Sequence, residues 1–264
     1  MNIEREYYEN DDFWRDDAIR AEDLHRVEML AARIPAPVRT VLEVGCGNGI
    51  FANSIADTGR FARVIGLDRS VAALRYVRTR KICASIDAIP LPDASFDLVA
   101  ALEVIEHLPA RVFSDALSEM ARLSAEFILI SVPYNEDLRT DMVECLDCRS
   151  RFNPNYHMQS FDERRMGTLL DPFGFRAREV LKIGEYSRYR GVDRIRRRRA
   201  RSLSNPFTTA IPCPMCGALL PPAPAAAPRA TAARASGPRS IVKRVWPRQT
   251  RHNWITGLYE RRRK

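Results

Sequence analysis

The chain has 264 residues, 45% of them hydrophobic, with 42 Lys/Arg against 33 Asp/Glu and a formal charge of +9. This length can bury the core of one α/β domain and still leave segments over, so one domain with appendages is expected. Residues 187–264 hold 19 Lys/Arg against 2 Asp/Glu, which leaves residues 1–186 at −8, so the basic balance belongs to the C-terminal part and says little about any cleft in the body.

Two further classes are excluded on composition. Met1 to Asp17 is charged and has no apolar run, so no secretory leader is read there. Residues 202–228 carry no charge, yet their seven prolines and two cysteines are incompatible with a membrane-spanning helix. A cytoplasmic protein is expected, peripheral at a membrane if its basic part rests on an anionic surface; nucleic acid is the other partner that part would suit.

In chain order, Tyr7, Tyr8, Phe13 and Trp14 stand among acids ahead of a helical stretch, Ala18 to Ile34. There Leu24, Val27, Leu30 and Ala31 recur at helical spacing, and Pro35 and Pro37 end the helix. Residues 1–37 are therefore expected to form an aromatic and helical cap. Next, the apolar strand Val41 to Val44 runs into Gly45, Gly47 and Gly49. Glycines at a strand-to-helix turn let backbone approach a ligand closely, and a nucleotide-like cofactor is the natural occupant. A second strand, Arg63 to Asp68, ends in a carboxylate 23 residues after Gly45, which makes Asp68 the candidate ribose acceptor. Further strands are expected at 97–102, 126–132 and near 176–183, with one more beyond. Strands alternating with helices predict a doubly wound, Rossmann-like α/β fold.

Glu103, Glu106 and His107 follow the strand at 97–102 with i, i+3, i+4 spacing, so they share one face if a helix begins there. Ligands bind at the carboxyl ends of such strands. His107 has the intrinsic pKa of a general base, and a structural or substrate-orienting role fits it equally.

Four of six cysteines form two C-x-x-C units, Cys145/Cys148 and Cys213/Cys216. Two such knuckles supply a tetrahedral structural zinc site, brought together only by the fold since 64 residues separate the pairs. A disulfide is disfavoured in a cytosolic protein, and a redox pair is disfavoured because neither unit follows a thioredoxin-like strand. Cys46 and Cys83 read as packing residues. Beyond Arg194–Arg199, a Pro/Ala-rich run is expected to be a linker, and Trp246, Trp254, Ile255, Leu258 and Tyr259 among arginines read as a basic amphipathic element.

The run E-x-G-x-G-x-G at 43–49 resembles motif I of the class I S-adenosylmethionine (SAM)-dependent methyltransferases, of the type 11/23 kind found in bacteria with C-x-x-C insertions. Ile86-Asp87-Ala88 with Leu91–Val99, then Glu103–Leu108, Tyr156–Phe161 and Phe173-Gly174-Phe175 are similar to later signatures of that family, so the resemblance covers about residues 38–185. It implies a seven-stranded, mostly parallel sheet with an antiparallel last hairpin, a small zinc-knuckle appendage and a basic C-terminal tail. It divides the chain into a cap at 1–37 and a core at 38–186 with a C-x-x-C insertion at 143–153. A basic segment with the second knuckle at 187–218, a linker at 219–240 and the tail at 241–264 complete it. It also implies SAM as cofactor. Glu43 would anchor the amino end or the loop amides, Gly45, Cys46, Gly47, Asn48 and Gly49 would pass beneath methionine and ribose, and Asp68 with Arg69 would meet the ribose. Asp87 and Ala88 would meet the adenine, Glu103 would also bind the cofactor, and His107, Glu106 and Glu103 would serve catalysis. The cap's aromatic rings would form part of a lid; packing a helix onto the sheet is the other reading of them.

The layout is similar to bacterial methyltransferases of surface-polysaccharide or secondary metabolism, which implies O-methylation of a small-molecule or glycan-like acceptor. Glu-x-x-Glu-His with a distant His157 also resembles the metal-dependent small-RNA 2′-O-methyltransferases, in which such groups hold a cation. The lack of an Asn/Asp-Pro-Pro-Tyr run after the fourth strand argues against base-amine methylation. The non-enzyme alternative is a SAM-fold scaffold that binds nucleic acid or membrane through its tail.

Overall fold

A computed structural model describes residues 8–11, 14–15, 21–139, 142–189, 205–207, 210–222 and 248–263. The readings made on Tyr7, Phe13, Arg194–Arg199, residues 223–240 of the linker and Trp246 lie outside the described residues.

In chain order the elements are α1 (Ala21–Ala31), β1 (Thr40–Val44), α2 (Ile50–Asp57), β2 (Arg63–Asp68), α3 (Val71–Leu74), β3 (Arg80–Cys83) and β4 (Phe96–Leu102). A 3₁₀ turn (Ile105–His107) leads to α4 (Ala110–Leu123), β5 (Ser124–Pro133), β6 (Val143–Glu144), β7 (Arg151–Phe152) and α5 (Glu163–Thr168). Then follow a 3₁₀ turn (Asp171–Phe173), β8 (Phe175–Tyr189), β9 (Ile211–Pro212), β10 (Leu219–Leu220) and β11 (Arg248–Arg261). Two compact units are formed: Arg5–Glu136, His157–Gly184 and His252–Lys264 make the core, and Asp137–Tyr156 with Glu185–Arg251 make the smaller unit.

The core sheet has seven strands in the order β3-β2-β1-β4-β5-β11-β8, as the seven-stranded expectation requires. The pairs β1–β2, β2–β3, β1–β4 and β4–β5 are parallel, and β11 runs antiparallel to β5. Side chains alternate across a strand, so each apolar run feeds both faces. Leu42, Val99, Ala101, Ile128 and Ile130 pack on one face with Leu117 and Met120 of α4. Val41, Leu98, Ala100, Phe127 and Leu129 pack on the other with Val27 and Leu30 of α1 and Phe51 and Ile55 of α2. Most of these side chains are fully buried, and burial of one Leu, Ile or Phe contributes about 1.5–3 kcal/mol.

The expected C-terminal tail is corrected by this sheet. Residues 248–261 are a strand inserted between β5 and β8, with Ile255 and Tyr259 packed on one face and Trp254 and Leu258 on the other. The Arg261 guanidinium donates to the Ala121, Ser124 and Ala125 carbonyls at the carboxyl end of α4 and stacks over Phe175 at 4.5 Å. A cation there satisfies carbonyls that a helix end leaves without partners. The spacing of Trp254, Ile255, Leu258 and Tyr259 fits a helix face as well as a two-sided strand, which is why the sequence reads either way. Cys83 is also corrected: it ends the edge strand β3, is exposed, and its thiol lies 3.7 Å from the Arg69 carbonyl.

The smaller unit holds two short hairpins, β6–β7 and β9–β10. No helix among the described residues is long and apolar enough to cross a membrane.

Candidate functional site

The turn after β1 is built by its glycines. Gly45 and Gly47 have φ of 65° and 53°, a region costly for residues with a Cβ. A Cβ on Gly45 would stand 2.4 Å from Val104, and one on Gly47 would stand 2.6 Å from the Trp14 ring. Gly45 thus lets the turn after β1 pack directly on the turn after β4.

The acids on β1 and β2 hold this loop. Buried Glu43 accepts the Ala52 amide in the first turn of α2 at 2.9 Å, and burial pushes its carboxyl up to about 8. Asp68 accepts the Gly47 amide on Oδ2 and the Ser70 amide on Oδ1, each at 2.8 Å. Burial raises its pKa, and these amides oppose the rise. Each carboxylate oxygen has two lone pairs, so the amides around Asp68 still leave acceptor capacity toward a ribose hydroxyl. The residues therefore fit the ribose of a nucleoside cofactor.

A strap from the N-terminal segment lies on the loop. The Tyr8 carbonyl accepts Trp14 Nε1 at 2.7 Å and Ser70 Oγ at 2.6 Å, and the Trp14 carbonyl accepts Asn48 Nδ2 at 3.0 Å. Glu9 accepts the Ala72 amide at 3.1 Å, and Arg69 lies 5.7 Å over the Tyr8 ring. Asn48 and Arg69 thus face the strap. Cys46 is buried against Leu74 and Val77. Asp87 follows β3, bonded to Ser85, and the Ala88 amide donates to the Ser85 carbonyl at 3.2 Å.

At the end of β4 the helical face expected for Glu103, Glu106 and His107 is replaced by tighter geometry. Glu103 has φ 56°, only one 3₁₀ turn follows it, and α4 starts after Pro109. Glu103 consequently points elsewhere: Oε2 accepts Trp254 Nε1 at 3.0 Å and Oε1 lies 3.2 Å from Arg26 Nη1. The Arg26 guanidinium also sits over the Trp254 ring at 5.1 Å. The carboxyl pKa of Glu103 is raised by burial and held back by Arg26.

Glu106 is 1% exposed, and among the described residues neither carboxylate oxygen takes a hydrogen bond. Burial, then the charge of Glu103, drives its pKa well up. Glu106, His107 and His157 each offer a donor atom, all within 4.8 Å of one another. The two imidazoles meet edge to face at 4.7 Å, and His107 Nδ1 lies 3.4 Å from the Tyr8 hydroxyl. His157 Nδ1 is bonded to Glu136 Oε2 at 2.5 Å, which directs Nε2 the other way. Glu136, Arg26 and Trp254 were not singled out for this role in the sequence; the position of Glu136 just past β5, at a strand's carboxyl end, is the signal that marks it.

In the smaller unit the four cysteines converge. Cys145 and Cys216 sulfurs lie 3.6 Å apart, as do those of Cys148 and Cys213, and all four lie within 4.8 Å of one another. Disulfide sulfurs would be about 2.05 Å apart, whereas thiolates at about 2.3 Å from one tetrahedral ion lie about 3.8 Å apart. The two knuckles share one geometry: Cys145 and Cys213 amides donate to Ser150 and Ala218 carbonyls at 2.9 Å, and Arg149 and Gly217 take positive φ. Ser150 Oγ, 3.0 Å from Cys148 Sγ, and the Ser150 amide pull that thiol down to about 6. Four sulfurs without a carboxylate fit a closed zinc site.

Comparison with known proteins agrees with this geometry. Residues 42–126 match the family described as methyltransferase domain. A Mycolicibacterium smegmatis protein named probable S-adenosylmethionine-dependent methyltransferase is 35% identical over 152 residues, 55% of this chain and 55% of that protein. A ubiquinone biosynthesis O-methyltransferase of Albidiferax ferrireducens is 35% identical over 95 residues, 32% of this chain and 37% of that protein. The chain thus spans about half, or less, of the curated relatives it matches. A chain from the complex between the Haloferax volcanii Trm112 methyltransferase activator and its methyltransferase partner shares the fold, with TM-score 0.58 and 16% identity over 96% of this chain and 97% of that one. The glycine loop thus lies in a stretch, residues 42–126, that matches a methyltransferase domain, on a fold shared with the Haloferax chain.

Proposed function

We propose that the chain transfers a methyl group from SAM to an oxygen of a small-molecule or glycan-like acceptor. The observation that carries this reading is the Asp68–Gly47 bond, a carboxylate with spare acceptor capacity fixed to a tight glycine turn. When bound, SAM supplies a methyl on sulfonium already activated toward nucleophiles. The chain's residues would bind, align and manage one proton. Asp68 would take the ribose hydroxyls, the 45–49 turn would run beneath the methionine, and Asp87 would take the adenine amine. Trp14 and Tyr8 would exclude water. His107 would accept the acceptor hydroxyl's proton as the new C–O bond forms. The O-methyltransferase name of the Albidiferax relative favours oxygen as the acceptor atom. Labelled-methyl transfer from SAM to fractionated extract, lost in Asp68→Ala, tests the reading; transfer that survives the substitution refutes it.

We also propose that Cys145, Cys148, Cys213 and Cys216 hold one structural zinc, supported by their mutual distances. One equivalent of zinc in the purified chain, lost on double Cys→Ser substitution, is the expected result.

A second reading, cation-assisted transfer to an RNA 2′-hydroxyl, has one observation in its favour: the buried Glu106 carboxylate beside two imidazoles. Glu103, engaged by Arg26 and Trp254, would not join such a set. Activity that needs added divalent cation and responds to Glu106→Gln would select it. Of the basic residues on which the scaffold reading rests, Arg261 and Arg262 are paired internally, Arg262 with Asp171 at 2.5 Å, and most of the others lie outside the described residues.

A further inference from the structure

Each of the two segments that carry a cysteine pair is rooted beside the groups at the end of β4. The first leaves the core after Glu136 and rejoins it at His157, and these two residues are bonded to each other at 2.5 Å. Immediately beyond, the Met158 and Gln159 amides both donate to the Glu106 carbonyl, at 2.7 and 3.0 Å. This root therefore fixes His157 against the turn that carries Glu106 and His107.

The second segment leaves after Gly184 and rejoins at His252. A Cβ on Gly184 would stand 2.5 Å from the Trp254 ring, so the outgoing strand lies directly on that ring. Trp254 Nε1 in turn donates to Glu103 at 3.0 Å, and the Asn253 carbonyl accepts the Tyr134 amide at 2.9 Å.

Away from the roots, the segments are joined to one another. The first supplies Cys145 and Cys148, the second Cys213 and Cys216, and the Tyr156 hydroxyl donates to the Pro212 carbonyl at 2.8 Å. Without a tie each segment is a loop closed only at its root, and a metal joining two loops removes much of their freedom. The paired strands β6 and β7 flank the first knuckle, where Glu144 pairs with Arg149 and Arg151.

We propose that the four-cysteine centre, when it holds zinc, is a positioning device for the acceptor end. By tying the two segments together it holds His157 against His107 and Trp254 against Glu103. The ion itself takes no part in the reaction. This rests on the zinc reading above and is independent of the identity of the acceptor.

The test uses the full chain, with zinc measured by elemental analysis, in three forms: as purified, after chelation, and as Cys148→Ser/Cys216→Ser, which changes the two exposed thiols. Amide hydrogen exchange is read at 157–161 and 252–256 and, as an internal reference, at 41–57, while SAM affinity is read by calorimetry. Zinc loss is expected to speed exchange about tenfold or more at both roots, with the reference and SAM affinity nearly unchanged. Unchanged exchange at the roots, equal loosening of 41–57, or a purified chain without zinc would each overturn the proposal. Absence of SAM binding in all three forms would count against the enzyme reading and leave the exchange comparison intact.

Discussion

Asp68 on the second strand holds the amide of Gly47 on the loop of the first strand, at 2.8 Å. One carboxylate therefore shapes the turn, and in the proposed function the same group would meet the cofactor's ribose. Asp68→Asn keeps the size of the side chain but removes its charge and one acceptor. Hydrogen bonds to a charged group contribute about 1.5–3 kcal/mol, so SAM affinity should fall about 10- to 100-fold with the fold retained. Calorimetry alongside circular dichroism measures both.

Gly45 and Val104 make a steric pair. Gly45→Ala should destabilise the core by about 1–3 kcal/mol, from the positive φ and the contact with Val104 together. Adding Val104→Ala relieves the contact but leaves the backbone strained, so the double variant should lose less than the sum of the single losses. Urea unfolding of the four chains checks this; strict additivity would show that the contact carries no cost.

Burial raises the carboxyl of Glu43 from its ordinary 4.5 to about 8. The folded state thus keeps a proton that the unfolded chain releases, and the stability linked to it is complete below about pH 4.5 and declines as pH rises through 8. Relative to Glu43→Gln, the natural chain should lose up to about 5 kcal/mol across that window and nothing further above it. Parallel denaturation series at several pH values supply the measurement, and a flat difference would refute the assignment.

Strand β11 predicts the effect of truncation. Removing residues 241–264 takes Ile255, Leu258 and Tyr259 out of the core, each worth about 1.5–3 kcal/mol, against a total domain stability of about 5–15 kcal/mol. The shortened chain should show no cooperative unfolding transition. Arg261→Ala alone should cost about 1–3 kcal/mol, since it leaves carbonyls at the end of α4 without a donor. A stable, cooperatively unfolding truncation would restore the view of this segment as an appendage.

What could be read in the sequence followed from periodicity and glycine. The central strands were visible because both of their faces are buried and their apolar runs are nearly continuous, as at Leu98–Leu102. The turn at Gly45–Gly49 was visible because few other residues tolerate its backbone. Asp68 announced itself by position at a strand end. Edge strand β3 was hidden, since Arg80-Lys81-Ile82-Cys83 has too little apolar bulk to mark a strand. β11 was hidden because its apolar spacing suits two kinds of element. The pairings of Glu103 with Arg26 and Trp254, and of His157 with Glu136, join residues distant in the chain. Only the fold could bring these together. The left-handed backbone of Glu103 then broke the helical geometry that the spacing of Glu103, Glu106 and His107 had implied.

The place of β11 in the sheet also bears on biosynthesis. Its backbone partners on β5 emerge from the ribosome more than a hundred residues earlier, and until residue 261 follows them β5 presents an open, apolar border. β11 therefore completes the sheet late in synthesis, and until it pairs, that border stays open to a neighbouring strand.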